Sequence, residues 1–338
     1  MSTHEGAPGH ATTSTDPAGA GVGPAGTAPA RRRRPGPGSR TRRRPRGQAW
    51  TFFLFTGPFL AGMVIFVYVP ILWSLALSFF EAQNTVVPDT FVGIDNYREM
   101  LADGPFRDSL LMFTGYAAFI VPVTFVLALG LALLVHRLRF AQAFFRSAFF
   151  IPTACSYVVA SLIWKMSIFN GVRFGLANTV LEFFGVENIS WLITADPPWY
   201  WVPLVTVRLW LQLGFYMILF LAGLQRIPRE LYEAAYVDGA SPGWTTLRHI
   251  TLPQLRATSI AVLLLTIIAA YQAFDEFYNL LPGKADLARP PLQQLYTIAL
   301  GVQQDYGRGS AGAMILSVLI IAITLFQGRL LGFGKPAD

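Results

Sequence analysis

The sequence predicts an all-α membrane protein with six transmembrane helices. Of its 338 residues, 53% are hydrophobic and 13% are charged, whereas soluble chains carry about 25% charged residues. A helix needs about 20 apolar residues to cross the hydrocarbon core of a bilayer. Six stretches reach that length, at residues 50–80, 111–135, 147–169, 201–224, 259–281 and 311–331. An even number of spans places both termini on the same side of the membrane.

An Arg-rich tail, residues 1–48, precedes the predicted membrane domain, residues 49–338. The tail holds nine arginines against two acidic residues, which accounts for the whole formal net charge of +7. Its Gly-, Pro-, Ala- and Thr-rich composition buries too little apolar surface to offset the entropy of folding. We therefore predict a disordered tail that touches anionic headgroups of membrane lipids and binds no nucleic acid. The apolar run that follows is longer than the h-region of a signal peptide, so we expect it to remain as the first span.

The charges of the loops predict the orientation, because Lys and Arg accumulate in short cytoplasmic loops. Residues 136–146 carry three arginines and no acid, and residues 225–257 carry four arginines. By contrast, residues 81–110 carry six acids against two arginines, and residues 170–200 carry three acids against one arginine. We therefore expect the tail, the second and fourth loops and both termini to lie in the cytoplasm.

The longest predicted cytoplasmic loop contains residues 230–255, ELYEAAYVDGASPGWTTLRHITLPQL, whose pattern predicts two short helices around a glycine. Pro228 suits the first position of the first helix, where its missing N–H would be unpaired anyway. Glu230 and Glu233 follow in the first turns, where negative charge complements the helix dipole. Gly239 is expected to end this helix as a C-terminal cap.

The second short helix is predicted from Ser241 as its cap and Pro242 at its first position, and it is expected to end at Leu252-Pro253. Two interpretations of the loop stay open. Its narrow face of small residues suits docking in a groove of a partner protein, whereas an amphipathic loop on the membrane surface would need bulkier apolar residues and more basic ones. That face is formed by Leu231, Ala234 and Ala235.

The motif EAAYVDGA…ITLP resembles the EAA loop of the inner-membrane permease subunits of binding-protein-dependent ABC importers. The residues that carry the resemblance are Glu233, Ala234, Ala235, Asp238, Gly239, Ala240, Ile250, Leu252 and Pro253. Four further stretches are similar to the sugar-importer branch of the maltose or glycerol-phosphate type, namely FVGIDNYREML (91–101), SLIWKMSIFNGVRFGLANTVL (161–181), LWLQLGFYMILFLAGLQRIPRELYEAA (209–235) and DYGRGSAGAMIL (305–316). The first of these suggests the larger of the two permease types.

One departure concerns the spacing inside this loop, which we call the EAA loop (residues 226–257). The family places about nine residues between the motif glycine and Ile-x-Leu-Pro, whereas Ala240 to His249 make ten here. We expect the additional residue near Pro242-Gly243, in the turn.

The resemblance implies the fold of a type I ABC importer permease in a bacterial cytoplasmic membrane. It further implies a coupling helix at Glu233 to Gly239 that sits in a dimeric ATPase, together with a second permease subunit, an extracellular solute-binding protein and a carbohydrate substrate. This chain is expected to be a transport subunit and not an enzyme, with no catalytic residue, no cofactor and no metal site. ATP and Mg²⁺ are expected on the partner ATPase, because none of the three lysines is followed by the Ser or Thr of a phosphate-binding loop.

The fifth predicted span ends in a polar segment, residues 271–279. Four of its polar side chains follow i, i+3, i+4 and i+7 spacing and would share one face of a helix, and three aromatic side chains alternate with them. Charged groups inside a membrane are costly and often functional, and carboxylates, amides and aromatic rings suit a sugar. The alternative is that the segment has reached water or a partner subunit. The polar residues are Gln272, Asp275, Glu276 and Asn279, and the aromatic ones are Tyr271, Phe274 and Tyr278.

Other functions remain as alternatives. An ABC permease for a non-sugar solute such as glycerol phosphate would share this architecture. A membrane enzyme would need a cluster of catalytic groups, but the adjacent Asp275 and Glu276 point about 100° apart on a helix. An ion-coupled secondary transporter should have inverted repeats and broken spans, which we do not expect here. The remaining intramembrane charges, Lys165 and Arg208, are expected to snorkel or to pair with a neighbour.

Overall fold

The computed structural model describes residues 46–138, 140–171, 175–241, 243–283, 287–302 and 304–330. The chain divides into two units, Met1–Phe59 and Leu60–Asp338. The described part of the first unit belongs to one helix, which begins at Arg46. The predicted disordered tail therefore lies outside the described residues, except for residues 46–48, which are already helical.

The described residues are mainly helical, and in these ranges the only β-structure consists of the isolated bridges Phe80–Phe91 and Gln83–Asp305. The helices in chain order are α1 (Arg46–Met63), α2 (Val69–Leu77), α3 (Asp95–Ala102), α4 (Gly104–Arg137), α5 (Gln142–Phe150), α6 (Tyr157–Ile163), α7 (Leu176–Phe183), α8 (Trp201–Leu224), α9 (Arg229–Val237), α10 (Trp244–Thr246), α11 (Leu252–Gln254), α12 (Arg256–Tyr271), α13 (Asp275–Leu280), α14 (Pro291–Leu300) and α15 (Tyr306–Leu330). A 3₁₀ turn (Ile151–Ala154) follows α5, and π turns follow α1 (Val64–Tyr68), α6 (Trp164–Ile168) and α10 (Leu247–Thr251).

Four helices of the described chain are long and apolar enough to cross a membrane. Two further candidates are helix pairs bent at a short break, and counting each pair as one span gives the six that the sequence predicts. The continuous spans are Trp50–Leu77, Gly104–Arg137, Trp201–Leu224 and Tyr306–Leu330; the bent pairs are Gln142–Ala154 with Tyr157–Ile168 and Trp244–Gln254 with Arg256–Tyr271.

The prediction of an unbroken third span, residues 147–169, was wrong, and so was the expectation that no span would be broken. The two halves of this span meet at an angle of 97°. Pro152 in the 3₁₀ turn cannot donate a helical hydrogen bond. Ser156 then has an extended backbone, and its hydroxyl accepts a bond from the N–H of Val158, 3.3 Å away. A local cap of this kind competes with helix continuation, so a new helix starts at this point.

Helix α8 occupies the centre of the second unit. Half of its most apolar window is buried, and it packs against α4, α5 and α12. The contact with α5 is close, because a β-carbon at Gly214 would collide with the backbone carbonyl of Phe149. This central helix leads directly into the EAA loop, and α12 leaves the loop on its other side.

Candidate functional site

The first helix of the EAA loop, α9, ends in the glycine cap that the sequence predicts. The N–H of Ala240 donates to the carbonyl of Ala235 over 2.8 Å, and the N–H of Gly239 donates to the carbonyl of Tyr236 over 3.2 Å. These two bonds form a Schellman motif, and Gly239 has the left-handed φ of +85° that the motif requires. The start differs by one position, because Pro228 with its ψ of 138° is the cap that precedes the helix.

The motif residues of the EAA loop are divided between exposed and half-buried positions. Larger apolar side chains, which the sequence reasoning missed, extend the exposed surface around them. Val237 is 87% exposed and Trp244 is 70% exposed. Exposed motif residues are Glu233, Ala234, Asp238, Gly239 and Pro253, and half-buried ones are Ala235, Ala240, Ile250 and Leu252.

The second helix of the EAA loop differs from its prediction at both ends. It begins at Trp244 with Gly243 at the cap, whereas the carbonyl of Ser241 accepts a bond from the Thr246 hydroxyl over 3.0 Å. Pro242 lies outside the described residues. The helical turns continue through Pro253, and the chain bends by 72° only at Leu255.

A π turn, Leu247–Thr251, lies in the middle of this second helix. A π turn closes its hydrogen bond over one residue more than an α-turn does, so it offers a place for the additional residue of this loop. The helix can then continue without a break, although Leu252-Pro253 was expected to end it.

The two halves of the EAA loop contact each other through polar side chains. The hydroxyls of Tyr232 on α9 and Thr251 in the π turn lie 3.1 Å apart and share a hydrogen bond. Both residues line a cavity of about 450 Å³ between the loop and the adjoining ends of α4 and α8. The bond links the second half of the loop to the first.

The polar segment, residues 271–279, is not part of a continuous helix, and the predicted single stripe was wrong. Helix α12 ends at Tyr271, and α13 begins at Asp275. Between them Phe274 has backbone angles, φ −149° and ψ −58°, that belong to no helix. The i, i+3, i+4, i+7 spacing therefore does not determine which side chains face the same way.

The structure separates the seven candidate residues into an open set and a buried set. Glu276 forms a buried ion pair and does not share the surface of Asp275, and the buried Tyr271 donates its hydroxyl hydrogen to the Thr114 hydroxyl over 3.2 Å. Both residues contact neighbouring helices, and their expected place in the solute path stays a prediction. The open set comprises the exposed Gln272, Asp275 and Tyr278 and the half-buried Phe274 and Asn279.

The partner of Glu276 is Arg208 on α8, and each side chain is 3% exposed or less. The Arg208 guanidinium donates to the Glu276 carboxylate and also to the backbone carbonyl of Ala269. Removing one member would leave a buried charge without compensation, which costs about 3–5 kcal/mol. The sequence contained a signal for this pair. Arg208 precedes the EAA loop and Glu276 follows it by a similar number of residues, so two neighbouring spans would carry the opposite charges at a similar depth.

Two further contacts surround α13. The ammonium of Lys165 donates to the backbone carbonyl of Asn279 over 3.4 Å. Of the two alternatives expected for this lysine, snorkelling and pairing with a neighbour, the structure shows the second. On the open side, Phe274 stacks on Tyr278 with ring centroids 5.4 Å apart, and the ring of Tyr296 on α14 lies 5.5 Å from Phe274 and 5.8 Å from Tyr278. Sequence reasoning missed Tyr296 because it lies on a different helix.

The open surface of the polar segment combines a carboxylate, two amides and a group of three aromatic rings. Such a set can donate and accept hydrogen bonds with hydroxyl groups and can stack on a ring. Within the described ranges, no group of three or more His, Cys, Asp or Glu side chains could hold a metal ion.

Comparison with known proteins identifies the family. Residues 49–331 match the family described as "Binding-protein-dependent transport system inner membrane component". The chain is 32% identical over 293 residues to the arabinooligosaccharides transport system permease protein AraP of Bacillus subtilis, covering 84% of this chain and 89% of AraP. It is 30% identical over 272 residues to the trehalose/maltose transport system permease protein MalF of Thermococcus litoralis, covering 79% of this chain and 89% of MalF.

The fold is shared with a solved transporter. A chain in the crystal structure of a bacterial ABC transporter involved in the import of the acidic polysaccharide alginate superimposes with a TM-score of 0.74, covering 86% of this chain and 98% of that one, at 19% identity. The resemblance deduced from the EAA loop and the all-α permease fold are thereby confirmed, and the chain is a membrane-embedded transport subunit and not an enzyme. It belongs to the family of binding-protein-dependent transport system inner membrane components.

Proposed function

We propose that the chain is a permease subunit of an ATP-driven ABC importer that moves a carbohydrate across the bacterial cytoplasmic membrane. Its relatives are named as permeases for arabinooligosaccharides, for trehalose and maltose and, in Rhizobium radiobacter, for lactose. The open surface of the polar segment has the hydrogen-bonding and stacking groups that such a solute needs. Glycerol phosphate and other polar solutes are the alternative, and a solute panel in the uptake assay separates them.

The observation that carries the coupling role is the exposed, capped helix α9. Its Schellman cap and the Tyr232–Thr251 bond give it a defined shape before any partner binds. Apolar side chains as exposed as Val237 and Trp244 favour a helix-in-groove contact with another protein. In the proposed complex that groove belongs to an ATPase dimer, which binds ATP and Mg²⁺, so this chain needs no cofactor of its own.

The proposed orientation places the EAA loop and both termini in the cytoplasm, as the loop charges favour. A second permease subunit completes the membrane part, and an extracellular solute-binding protein delivers the solute. A related alginate ABC transporter was crystallised in complex with a periplasmic protein carrying an alginate pentasaccharide, which supports a partner of this kind. ATP-driven closure of the ATPase then shifts the population between inward- and outward-facing states.

The proposed solute path runs along the open set of the polar segment, with Gln272 and Asp275 as its polar contacts. Both side chains are exposed in the isolated chain, whereas Glu276 is occupied by Arg208. Phe274 and Tyr278 supply ring surface, and Asn279 supplies a further amide.

The coupling role is tested by purifying the tagged chain from its native membrane and identifying the proteins that accompany it. A Glu233→Lys variant should lose the ATPase because a positive charge replaces an exposed carboxylate on α9. Glu187→Lys makes the same exchange at an exposed position between the third and fourth spans and should retain it. Retention of the ATPase by both variants would refute the docking of α9.

The solute path is tested in the intact importer. Asp275→Ala and Gln272→Ala should each reduce uptake at least fivefold without reducing the amount of assembled complex, because both side chains lie on the surface. Glu187→Ala serves as a control at an exposed position away from the polar segment. Unchanged uptake in both Asp275→Ala and Gln272→Ala would remove the polar segment from the path.

A further inference from the structure

The buried ion pair between Arg208 and Glu276 requires an explanation beyond adhesion between helices. Two charges inside a protein must be desolvated, and apolar side chains of similar size often hold such a site at least as well. Charged side chains inside membrane proteins are rare for the same reason and are usually functional. The position of the pair relative to residues 272–274, the break between α12 and α13, indicates what it does.

The guanidinium of Arg208 contacts both sides of this break. It donates to the carbonyl of Ala269, in the last turn of α12, and to the carboxylate of Glu276, in the first turn of α13. In a continuing helix the N–H of Ala273 would bond to the carbonyl of Ala269. It bonds instead to the carbonyl of Ala270, 3.3 Å away. The planar guanidinium of Arg208 thus donates both to a backbone carbonyl at the end of α12 and to a carboxylate in the first turn of α13.

The buried side of α13 also packs against aromatic side chains of α4 and α8. Phe277 is fully buried, and its ring centroid lies 5.0 Å from that of Phe113 and 6.1 Å from that of Trp201 at the start of α8. The opposite side of α13 carries the exposed Asp275. The contacts of the buried side, made by Phe277 and Glu276, therefore determine the direction in which Asp275 points.

Helix α8 connects this contact to the EAA loop. Arg208 lies on the same uninterrupted helix that ends at Leu224, and α9 begins at Arg229 after a short turn. Helix α8 is thus a direct covalent connection, by continuous helix and one short turn, between Arg208 and α9. At the other end of this connection the guanidinium of Arg208 contacts both sides of the break.

We propose that Arg208 and Glu276 are positioning residues that make the break in the fifth span, residues 272–274, move with α8. Displacement of the EAA loop by the ATPase then sets the orientation of Gln272 and Asp275 toward the solute. This inference rests on the proposed function, and it concerns coupling between two places in the chain, not solute contact.

The test compares transport per ATP hydrolysed in the reconstituted importer, using the full complex with its binding protein. Arg208→Met and Glu276→Met each leave one buried charge, and both should lower the yield of assembled complex. The double variant Arg208→Met/Glu276→Met removes both charges, so assembly and basal ATP hydrolysis should return to wild-type levels. Its transport per ATP should stay at least tenfold below wild type, because no side chain of α8 then bridges the two sides of the break.

A second variant keeps the ion pair and removes only the bridging geometry. Arg208→Lys retains a positive charge beside Glu276, but an ammonium lacks the planar fork that reaches two acceptors at once. It should assemble normally and show at least a threefold loss of transport per ATP. Gln212→Met, one turn along α8, removes a bond to the Tyr157 hydroxyl and serves as a control that should leave transport per ATP unchanged.

Wild-type transport per ATP in an assembled double variant would overturn the proposal and leave the pair as adhesion only. If the double variant does not assemble, Arg208→Lys decides, and wild-type transport per ATP in that variant overturns the proposal. Failure of the proposed function has a different signature, because the wild-type complex would then lack an ATPase or would take up no solute.

Discussion

Replacing Gly239 by Ala is expected to shift the cap of α9 toward its open form. The structure allows the change in that equilibrium to be calculated. Gly239 has a φ of +85°, and an L-residue with a β-carbon pays about 1–2 kcal/mol for this left-handed region. No atom lies within 4 Å of a β-carbon built at this position, so steric collision adds nothing to that figure. A change of this size shifts a local equilibrium by about 5- to 30-fold.

Amide hydrogen exchange at Ala240 measures this equilibrium, because its N–H donates to the carbonyl of Ala235 as part of the cap. Protection of that amide should fall about 5- to 30-fold in Gly239→Ala, and binding of the ATPase subunit should weaken in the same direction. Gly239→Asn is the matched control, since Asn tolerates the left-handed region better, and it should lose less protection. Unchanged protection in the Ala variant, or greater loss in the Asn variant, would refute this reasoning.

Two further substitutions test the packing around the EAA loop. Gly214→Ala should lower the thermal unfolding temperature in detergent, because overpacking a close contact costs about 1–3 kcal/mol. The control Gly115→Ala places its β-carbon in open space and should leave the unfolding temperature unchanged or raise it. Equal shifts in both variants would contradict the close approach of α8 and α5. Tyr232→Phe removes the hydrogen bond to Thr251, about 1 kcal/mol, so exchange in residues 244–254 should accelerate while exchange in α15 stays constant. Equal exchange in the wild type and in Tyr232→Phe would show that the bond does not hold the two halves of the loop.

The sequence predicted the first helix of the EAA loop well because the signals there are local. The negative charges of the first turn and the glycine at position 239 act within a few residues of the backbone groups that they stabilise. The break in the third span had local signals as well, Pro152 and the capping Ser156, which an apolar run of the right length concealed. An apolar run of this length predicts a membrane span from composition alone, and it does not predict that the span is one straight helix.

The start of the second loop helix was predicted less well. Ser241 and Pro242 are good capping signals, but the helix begins at Trp244 behind Gly243. It continues through Pro253 by way of the π turn, in which Thr251 also makes a hydrogen bond with Tyr232 of α9. The capping pattern of Ser241 and Pro242 does not predict a π turn, so the sequence did not indicate that the helix continues through Pro253.

The sequence alone predicted a membrane protein with six spans and a capped helix after the fourth, and the structure has four continuous candidate spans, or six with the two bent pairs. Hydrophobic length, charge distribution and backbone preferences are properties of short stretches, and they survive any arrangement of the helices. Only the tertiary structure decided the fate of the polar segment. Helical spacing groups side chains only while the helix continues, and here Arg208, more than 60 residues away, binds both sides of the break. Asp275 is left exposed and Glu276 is buried because their surroundings are built by other helices.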